Sequence, residues 1–148
     1  DGPGPDDGPG HDDEPVRTVA PARSPVDPDN PFLYHKTTHR AVYDRHRRDA
    51  PADAWDVLLW NPDGHVTEFC RGNLVAGIDG RLLTPPRRAG LLPGCLRGSL
   101  LEQGRITEAD LSLDDCRAAD ALWFINSALG WVPVRLLHPD STPTGSVP

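Results

Sequence analysis

The residue with the most distinctive chemistry in this chain is Lys36, because it is the only lysine beside fourteen arginines in 148 residues. A lysine amine can lose its proton, attack a carbonyl carbon and form a Schiff base, whereas an arginine guanidinium stays protonated. An isolated lysine is more often an ordinary surface residue. Here, however, it follows the apolar and aromatic residues 32–34, and we interpret it as a candidate nucleophile.

Two further signals follow Lys36 in a fixed order. Glu68 comes thirty-two residues later within a strand-like run, and Asn73 follows it by five. The residues 91–94 (LLPG) then precede a segment with helical character, and a proline in the first turn is typical of a helix start. Each signal alone is weak, since a strand carboxylate usually faces solvent and a Pro-Gly pair usually only begins a helix. Taken together and in this order, the three signals match a known pattern.

Composition sets the predicted boundaries of the folded part that must position these residues. Residues 1–31 are rich in Asp, Pro and Gly, so we predict a largely disordered linker that cannot bury enough surface to fold. Residues 32–137 are predicted to fold, and residues 138–148 to form a flexible tail. Because the chain contains no methionine, we expect that it was cut from a longer polypeptide.

The order of elements within residues 32–137 predicts an α+β fold built on an antiparallel, barrel-like meander with a few helices. We predict strands over 56–60, 65–78 and 81–84, with turns at residues 61–64 and 79–80. The sequence also predicts a helix over 38–48, a helix opening at Pro93 and ending near Gly104, a capping box from Ser112 to Asp115, and strands over 122–126 and 131–137.

Charge and cysteine content exclude several classes of function. The net charge is −7, with six of the acids in the first fourteen residues, so we expect no nucleic-acid surface. No apolar run approaches the length of a membrane span, about 18 residues. The three cysteines are odd in number and widely spaced, which favours reduced thiols and a cytoplasmic location. His35 and His39 lack a third ligand at a known spacing, so we expect no metal site.

The chain resembles the C-terminal, cofactor-binding part of the class IV aminotransferases, the fold-type IV pyridoxal phosphate enzymes. Within that family it is most similar to the aminodeoxychorismate lyases, in the form fused behind a para-aminobenzoate synthase component. The segments that carry the resemblance are HKTTHR (35–40), TEFCRGNLV (67–75), LLTPP (82–86), GLLPG (90–94) and FINSALGW (124–131).

The resemblance implies a role for each site residue. Lys36 would hold pyridoxal phosphate through its amine and later move protons as a base, and Glu68 would face the pyridine nitrogen. The phosphate would lie against the backbone amides of Gly94, Cys95 and Leu96 at a helix start. The resemblance further implies that the Ser127 hydroxyl binds the cofactor and that Arg40 binds the substrate. Asn73 is interpreted as structural, tying a strand edge or loop near Glu68.

The resemblance also implies the reaction, with alternatives left open. We expect a lyase that releases pyruvate from 4-amino-4-deoxychorismate to form para-aminobenzoate for folate synthesis. The alternatives are a transaminase acting on branched-chain or D-amino acids, and a truncated remnant without activity. The implied partner is a second copy of the chain or a chorismate-utilising synthase component. Leu129 stands where fused lyases often carry arginine, and the family's smaller N-terminal domain has no counterpart in residues 1–31, which puts activity of this chain alone in doubt.

Overall fold

Eight strands form a single mixed sheet in the computed structural model, which describes residues 15–26 and 44–137. In chain order the strands are β1 (Arg17–Pro21), β2 (Asp56–Trp60), β3 (Val66–Phe69), β4 (Asn73–Ile78), β5 (Arg81–Thr84), β6 (Thr107–Glu108), β7 (Ala121–Asn126) and β8 (Gly130–Leu136). The helices are α1, described over residues 44–49, a 3₁₀ turn over Arg87–Ala89, α2 (Cys95–Glu102) and α3 (Leu113–Ala118).

The combination of a curled sheet with a few helices confirms the predicted α+β class. Its spatial order is β3-β2-β1-β8-β7-β4-β5-β6, so β3 and β4 are consecutive in the chain yet have four strands between them in the sheet. The Phe69 amide at the end of β3 donates to the Gly72 carbonyl, 2.8 Å away, just before β4. The Phe69 ring lies 5.5 Å from the ring of Phe124 on β7. Side chains therefore fill the space inside the curl, as in a small barrel.

Strand β1 shows that the predicted linker was wrong over residues 15–26. β1 pairs in parallel with both β2 and β8, and Val19 is fully buried. The run 17–21 is short and lies among Pro and Arg residues, so its local composition resembles that of a linker. Its place in the sheet is set by neighbours far away in the sequence, and burial against such neighbours decides strand formation more than local propensity does.

The predicted strand over 65–78 is instead two strands, β3 and β4, separated by a turn at residues 70–72. Gly72 allows this turn to approach β7 closely. A Cβ atom at Gly72 would lie 2.6 Å from the Ile125 carbonyl oxygen and 2.7 Å from the Phe124 ring. A side chain at residue 72 is thus incompatible with this packing, and the chain reverses where the apolar pattern alone predicts continuation.

Most other sequence predictions in this region are confirmed. The strands over 56–60 and 81–84 and the turn at Asp79-Gly80 are present, with both turn residues at positive φ. The reciprocal capping box between Ser112 and Asp115 begins α3. Pro93, in contrast, precedes α2, because Gly94 is the N-cap residue. Strand β6 was not predicted; it is only two exposed residues long.

No helix in residues 15–26 and 44–137 is long and apolar enough to span a lipid bilayer.

The buried imidazole of His46 on α1 predicts a loss of stability in acid. His46 is 1% exposed, and neither ring nitrogen has a hydrogen-bond partner in the described structure. Burial lowers its pKa below the usual 6.5, and neighbouring Arg45 lowers it further, while Asp49 acts in the opposite direction. His46 therefore binds a proton less readily in the folded state than in the unfolded state. Its contribution to the free energy of unfolding is complete above pH 6.5 and is lost as the pH falls through the folded pKa.

We expect the His46→Leu variant to show a shallower acid dependence than the wild type. The measurement is the free energy of unfolding in urea at pH 7, 6 and 5. One proton contributes a slope of at most about 1.4 kcal/mol per pH unit, and the variant should lack that part of the slope. An equally steep decline in both proteins would assign the acid sensitivity to other groups.

Candidate functional site

A cleft of about 240 Å³ lies where the end of β3, the turn at residues 70–72, the start of α2 and the turn after β7 meet. It contains every described residue that the sequence predicts as a cofactor ligand: Glu68, Gly94, Cys95, Leu96 and Ser127. The remaining lining residues are Cys70, Arg71, Gly72, Asn73, Leu92 and Asn126. Lys36 and Arg40 lie outside the described residues. The roles of the seven predicted site residues stay predictions, but the five that the structure describes share one cleft.

Glu68 is shielded from bulk water although it lies on a strand. It is 3% exposed, and its Oε1 accepts a hydrogen bond of 3.3 Å from the Leu92 amide. A buried carboxylate needs compensation for its lost hydration, and the Leu92 amide provides part of it. The common situation of a strand carboxylate facing solvent does not apply to Glu68. Its position on the cleft wall suits it to meet a cationic or N–H group of a ligand.

Asn73 fixes the segment that leads into α2, which confirms the structural role predicted for it. Its Nδ2 donates to the Leu92 carbonyl, and its Oδ1 accepts from the Gly94 amide, each at 3.1 Å. A Cβ atom at Gly94 would lie 2.8 Å from that Oδ1, so a larger residue at position 94 would push the Asn73 amide away. Asn73 and Glu68 together hold residues 92–94 against β3 and β4.

The N-terminus of α2 offers fewer free amides than the sequence predicts. The Gly94 N–H is already committed to Asn73, so the prediction that it binds a phosphate conflicts with this hydrogen bond. Cys95 and Leu96 occupy the first turn of α2, where N–H groups have no acceptor within the helix. The positive end of the helix dipole adds to their preference for an anion. The anion-binding capacity of this end of the cleft thus lies with residues 95 and 96.

The turn at residues 70–72 is held against β2 by the buried carboxylate of Asp56. The Asp56 side chain is fully buried; its Oδ1 accepts from the Cys70 amide at 2.9 Å and its Oδ2 from Arg71 Nε at 3.1 Å. The Arg71 guanidinium also stacks on the Trp55 ring, with its central carbon 4.5 Å from the ring centroid. Sequence reasoning missed this arrangement, because Asp56 and Arg71 are fifteen residues apart and no local motif links them.

The Cys70 thiol lines the cleft but is a poor nucleophile. Burial raises its pKa well above the usual range, and the nearby Asp56 carboxylate raises it further. The thiolate is the reactive form of cysteine, so Cys70 stays protonated near neutral pH. Burial also raises the pKa of the Cys116 thiol on α3 to about 12. Neither thiol therefore competes with an amine for a carbonyl group.

The turn after β7 carries Ser127 and is organised by Asn126, whose part in the cleft was not predicted. Asn126 Nδ2 donates to the Arg71 carbonyl at 3.0 Å, and its Oδ1 accepts from the Leu129 amide at 2.7 Å. Its place directly before Ser127 in the stretch 124–131 was the available sequence signal. Leu129 lies in the same turn with 53% of its surface exposed.

Comparison with known proteins relates the chain to one family. Residues 5–137 match the family model described as amino-transferase class IV. A Schizosaccharomyces pombe protein named "Putative aminodeoxychorismate lyase" is 38% identical over 104 residues, which is 66% of this chain and 45% of that protein.

Solved structures show the same relationship. A structure named "Putative amino-acid aminotransferase" from Mesorhizobium loti is 40% identical, with a TM-score of 0.77 over 83% of this chain and 60% of that chain. The 4-amino-4-deoxychorismate lyase from Pseudomonas aeruginosa is 26% identical, with a TM-score of 0.70 over 82% of this chain and 47% of that chain. The chain thus spans between 45% and 60% of the length of these relatives.

Proposed function

Since the chain belongs to the class IV aminotransferase family, we propose that it is the cofactor-binding part of a pyridoxal phosphate-dependent lyase. The proposed reaction releases pyruvate from 4-amino-4-deoxychorismate and forms para-aminobenzoate. The observation that carries the proposal is the shared cleft, in which the shielded carboxylate of Glu68 and the first turn of α2 face the same space.

The residues of the cleft fit pyridoxal phosphate by their chemistry. Glu68 is an acceptor suited to a protonated ring nitrogen. The amides of Cys95 and Leu96 at the α2 N-terminus suit a phosphate, and the Ser127 hydroxyl lies on the same cleft. Leu92 and Leu96 add apolar surface, which suits the faces of an aromatic ring. One carboxylate, an anion-binding helix end and apolar walls are what such a ligand requires.

When bound, pyridoxal phosphate supplies an electron sink that stabilises negative charge on the substrate carbon next to the amine. The chain's own residues would bind and orient. Glu68 would hold a proton at the ring nitrogen, and the α2 start with Ser127 would anchor the phosphate. Lys36 would provide the attaching amine and then accept and return a proton as a base, for which its pKa must lie below that of an exposed lysine.

The choice of lyase over transaminase rests on the lyase named in two of the comparisons and on the stretches that resemble fused lyases. A class IV transaminase is the second candidate, and two observations favour it. The Mesorhizobium loti relative at 40% identity is named as an aminotransferase, and the exposed residue two positions after Ser127 is the apolar Leu129, where fused lyases often carry arginine. We also propose association with a second copy of the chain or with a chorismate-utilising synthase component.

The test is reconstitution of the full 148-residue chain with pyridoxal phosphate, followed by borohydride reduction and mass spectrometry. We expect one cofactor per chain, fixed on the peptide that contains Lys36. Lys36 is the only lysine, so the mass of the labelled peptide distinguishes attachment at Lys36 from attachment at the α-amino group of Asp1. Failure to trap the cofactor at saturating concentration would overturn the proposed cofactor and favour a remnant without activity.

The reaction is decided by two product assays on the reconstituted chain. A lyase releases pyruvate from 4-amino-4-deoxychorismate without a second substrate. A transaminase instead consumes a branched-chain or D-amino acid and passes the amino group to a keto acid. Amino transfer without pyruvate release would replace the lyase by the transaminase.

A further inference from the structure

Two turns that line the cleft are joined through a single side chain, that of Asn126. Its amide nitrogen donates to the Arg71 carbonyl in the turn after β3, at 3.0 Å. Its amide oxygen accepts from the Leu129 amide in the turn after β7, at 2.7 Å. The two contacts use the nitrogen and the oxygen of one planar carboxamide, so a single group bonds to both turns, beside the β4–β7 ladder in which Asn73 pairs with Ile125.

The turn at residues 70–72 is also held by hydrogen bonds to Asp56 on β2. The Asp56 carboxylate accepts from the Cys70 amide and from Arg71 Nε. Those hydrogen bonds attach the turn to β2, and they do not involve Ser127. Because Gly72 lies against Ile125 and Phe124 without space for a Cβ atom, small displacements of this turn cost packing. Asn126 thus adds a side-chain hydrogen bond from the start of the Ser127 turn to this turn, beside the packing of Gly72 on β7 and the β4–β7 ladder.

We infer that Asn126 is a positioning residue that holds the Ser127 hydroxyl and the wall beside Glu68 at the separation required by the ligand. The inference rests on the proposed function for the identity of that ligand, pyridoxal phosphate. Asn126 has no assigned contact with it and acts through the two turns. Groups held in place before binding give up less conformational freedom when the ligand arrives, so loosening the turns should weaken binding even though every presumed ligand-contacting side chain is still present.

Three variants of the full chain separate this role from a general effect on stability. Asn126→Ala removes both hydrogen bonds. Asn126→Asp keeps the acceptor for the Leu129 amide and removes the donor to the Arg71 carbonyl. The matched control is Asn61→Ala, since Asn61 also bridges a turn: its Oδ1 accepts from the His65 amide and its Nδ2 donates to the Ala89 carbonyl. Asn61 does not line the cleft.

Two readouts are required, the dissociation constant of pyridoxal phosphate and amide hydrogen exchange over residues 70–72 and 127–130. We expect Asn126→Ala to weaken cofactor binding about tenfold, the effect of losing one to two hydrogen bonds, and to speed exchange in both turns. Asn126→Asp should speed exchange at residues 70–72 more than at the Leu129 amide. Asn61→Ala should lower the melting temperature without changing exchange in these turns or the dissociation constant.

Equal weakening of cofactor binding in Asn126→Ala and Asn61→Ala would overturn the inference, because it would show a general loss of stability. Unchanged exchange in either turn of Asn126→Ala would overturn it as well. A wild-type chain that takes up no pyridoxal phosphate would overturn the proposed function, and the exchange measurement would still decide whether Asn126 holds the two turns together.

Discussion

Replacing Lys36 by alanine should abolish covalent attachment of pyridoxal phosphate and lower turnover by about 10²- to 10⁴-fold from the lost proton transfer alone. The amine is the only side-chain group of the chain that can condense with an aldehyde, since the other fourteen basic residues are arginines. The measurements are the absorption band of the attached cofactor and the mass increase after borohydride reduction.

The matched control for this experiment is Lys36→Arg, which keeps the positive charge but removes the nucleophilic amine. Both variants should still bind the cofactor through the phosphate and the ring, with weaker affinity. Borohydride trapping of the wild-type amount in Lys36→Ala would place the attachment elsewhere, for example on the α-amino group of Asp1, and would contradict the role of Lys36. Retention of trapping in Lys36→Arg would contradict it in the same way.

The parts of the fold that could be predicted from the sequence are those encoded by local patterns. β2 is a continuous apolar run, the Asp79-Gly80 hairpin has residues that tolerate positive φ, and the capping box of α3 is a four-residue motif. Each is decided by interactions within a few residues. The same holds for the start of α2, where the error was that Pro93 was predicted inside the helix, whereas it precedes the N-cap residue Gly94.

The parts that could not be predicted depend on partners distant in the sequence. β1 is buried because it lies between β2 and β8, more than thirty and more than one hundred residues away. The turn at residues 70–72 reverses the chain because Gly72 packs against Ile125 and Phe124. In the cleft, the resemblance selected Ser127, but only the fold shows that the neighbouring Asn126 reaches the Arg71 carbonyl.

The same distinction explains the conflict at Gly94. The resemblance implied that its amide faces a phosphate at a helix start, and the physical support for that role is local. The fold brings Asn73 within 3.1 Å of that amide and uses the N–H to secure the approach to α2. The hydrogen bonds of Asn73, Asp56 and Asn126 thus define the walls of the cleft, while Glu68 and the first turn of α2 present the groups that would meet a ligand.

Among those groups Glu68 is the one whose charge matters most, and Glu68→Gln should lower turnover of the reconstituted enzyme about 10²-fold or more. A glutamine is of equal size and keeps an acceptor for the Leu92 amide, so the fold and the cleft should remain. What it loses is the negative charge that favours a proton on the ring nitrogen, and removing one electrostatic stabiliser of a reacting group costs about this much. The measurements are kcat and the dissociation constant of pyridoxal phosphate, with kcat expected to fall far more.

The control is Glu102→Gln, the same change at an exposed position at the end of α2, which should leave both constants at wild-type values. A melting temperature of Glu68→Gln close to that of the wild type would show that the effect is chemical, because the Leu92 contact is preserved. If Glu68→Gln instead turned over at the wild-type rate, the negative charge at residue 68 would have no part in the reaction, and the burial of this residue on β3 would be structural. The activity of Glu68→Gln therefore distinguishes a cleft that uses the Glu68 charge in the reaction from a cleft in which this residue is only structural.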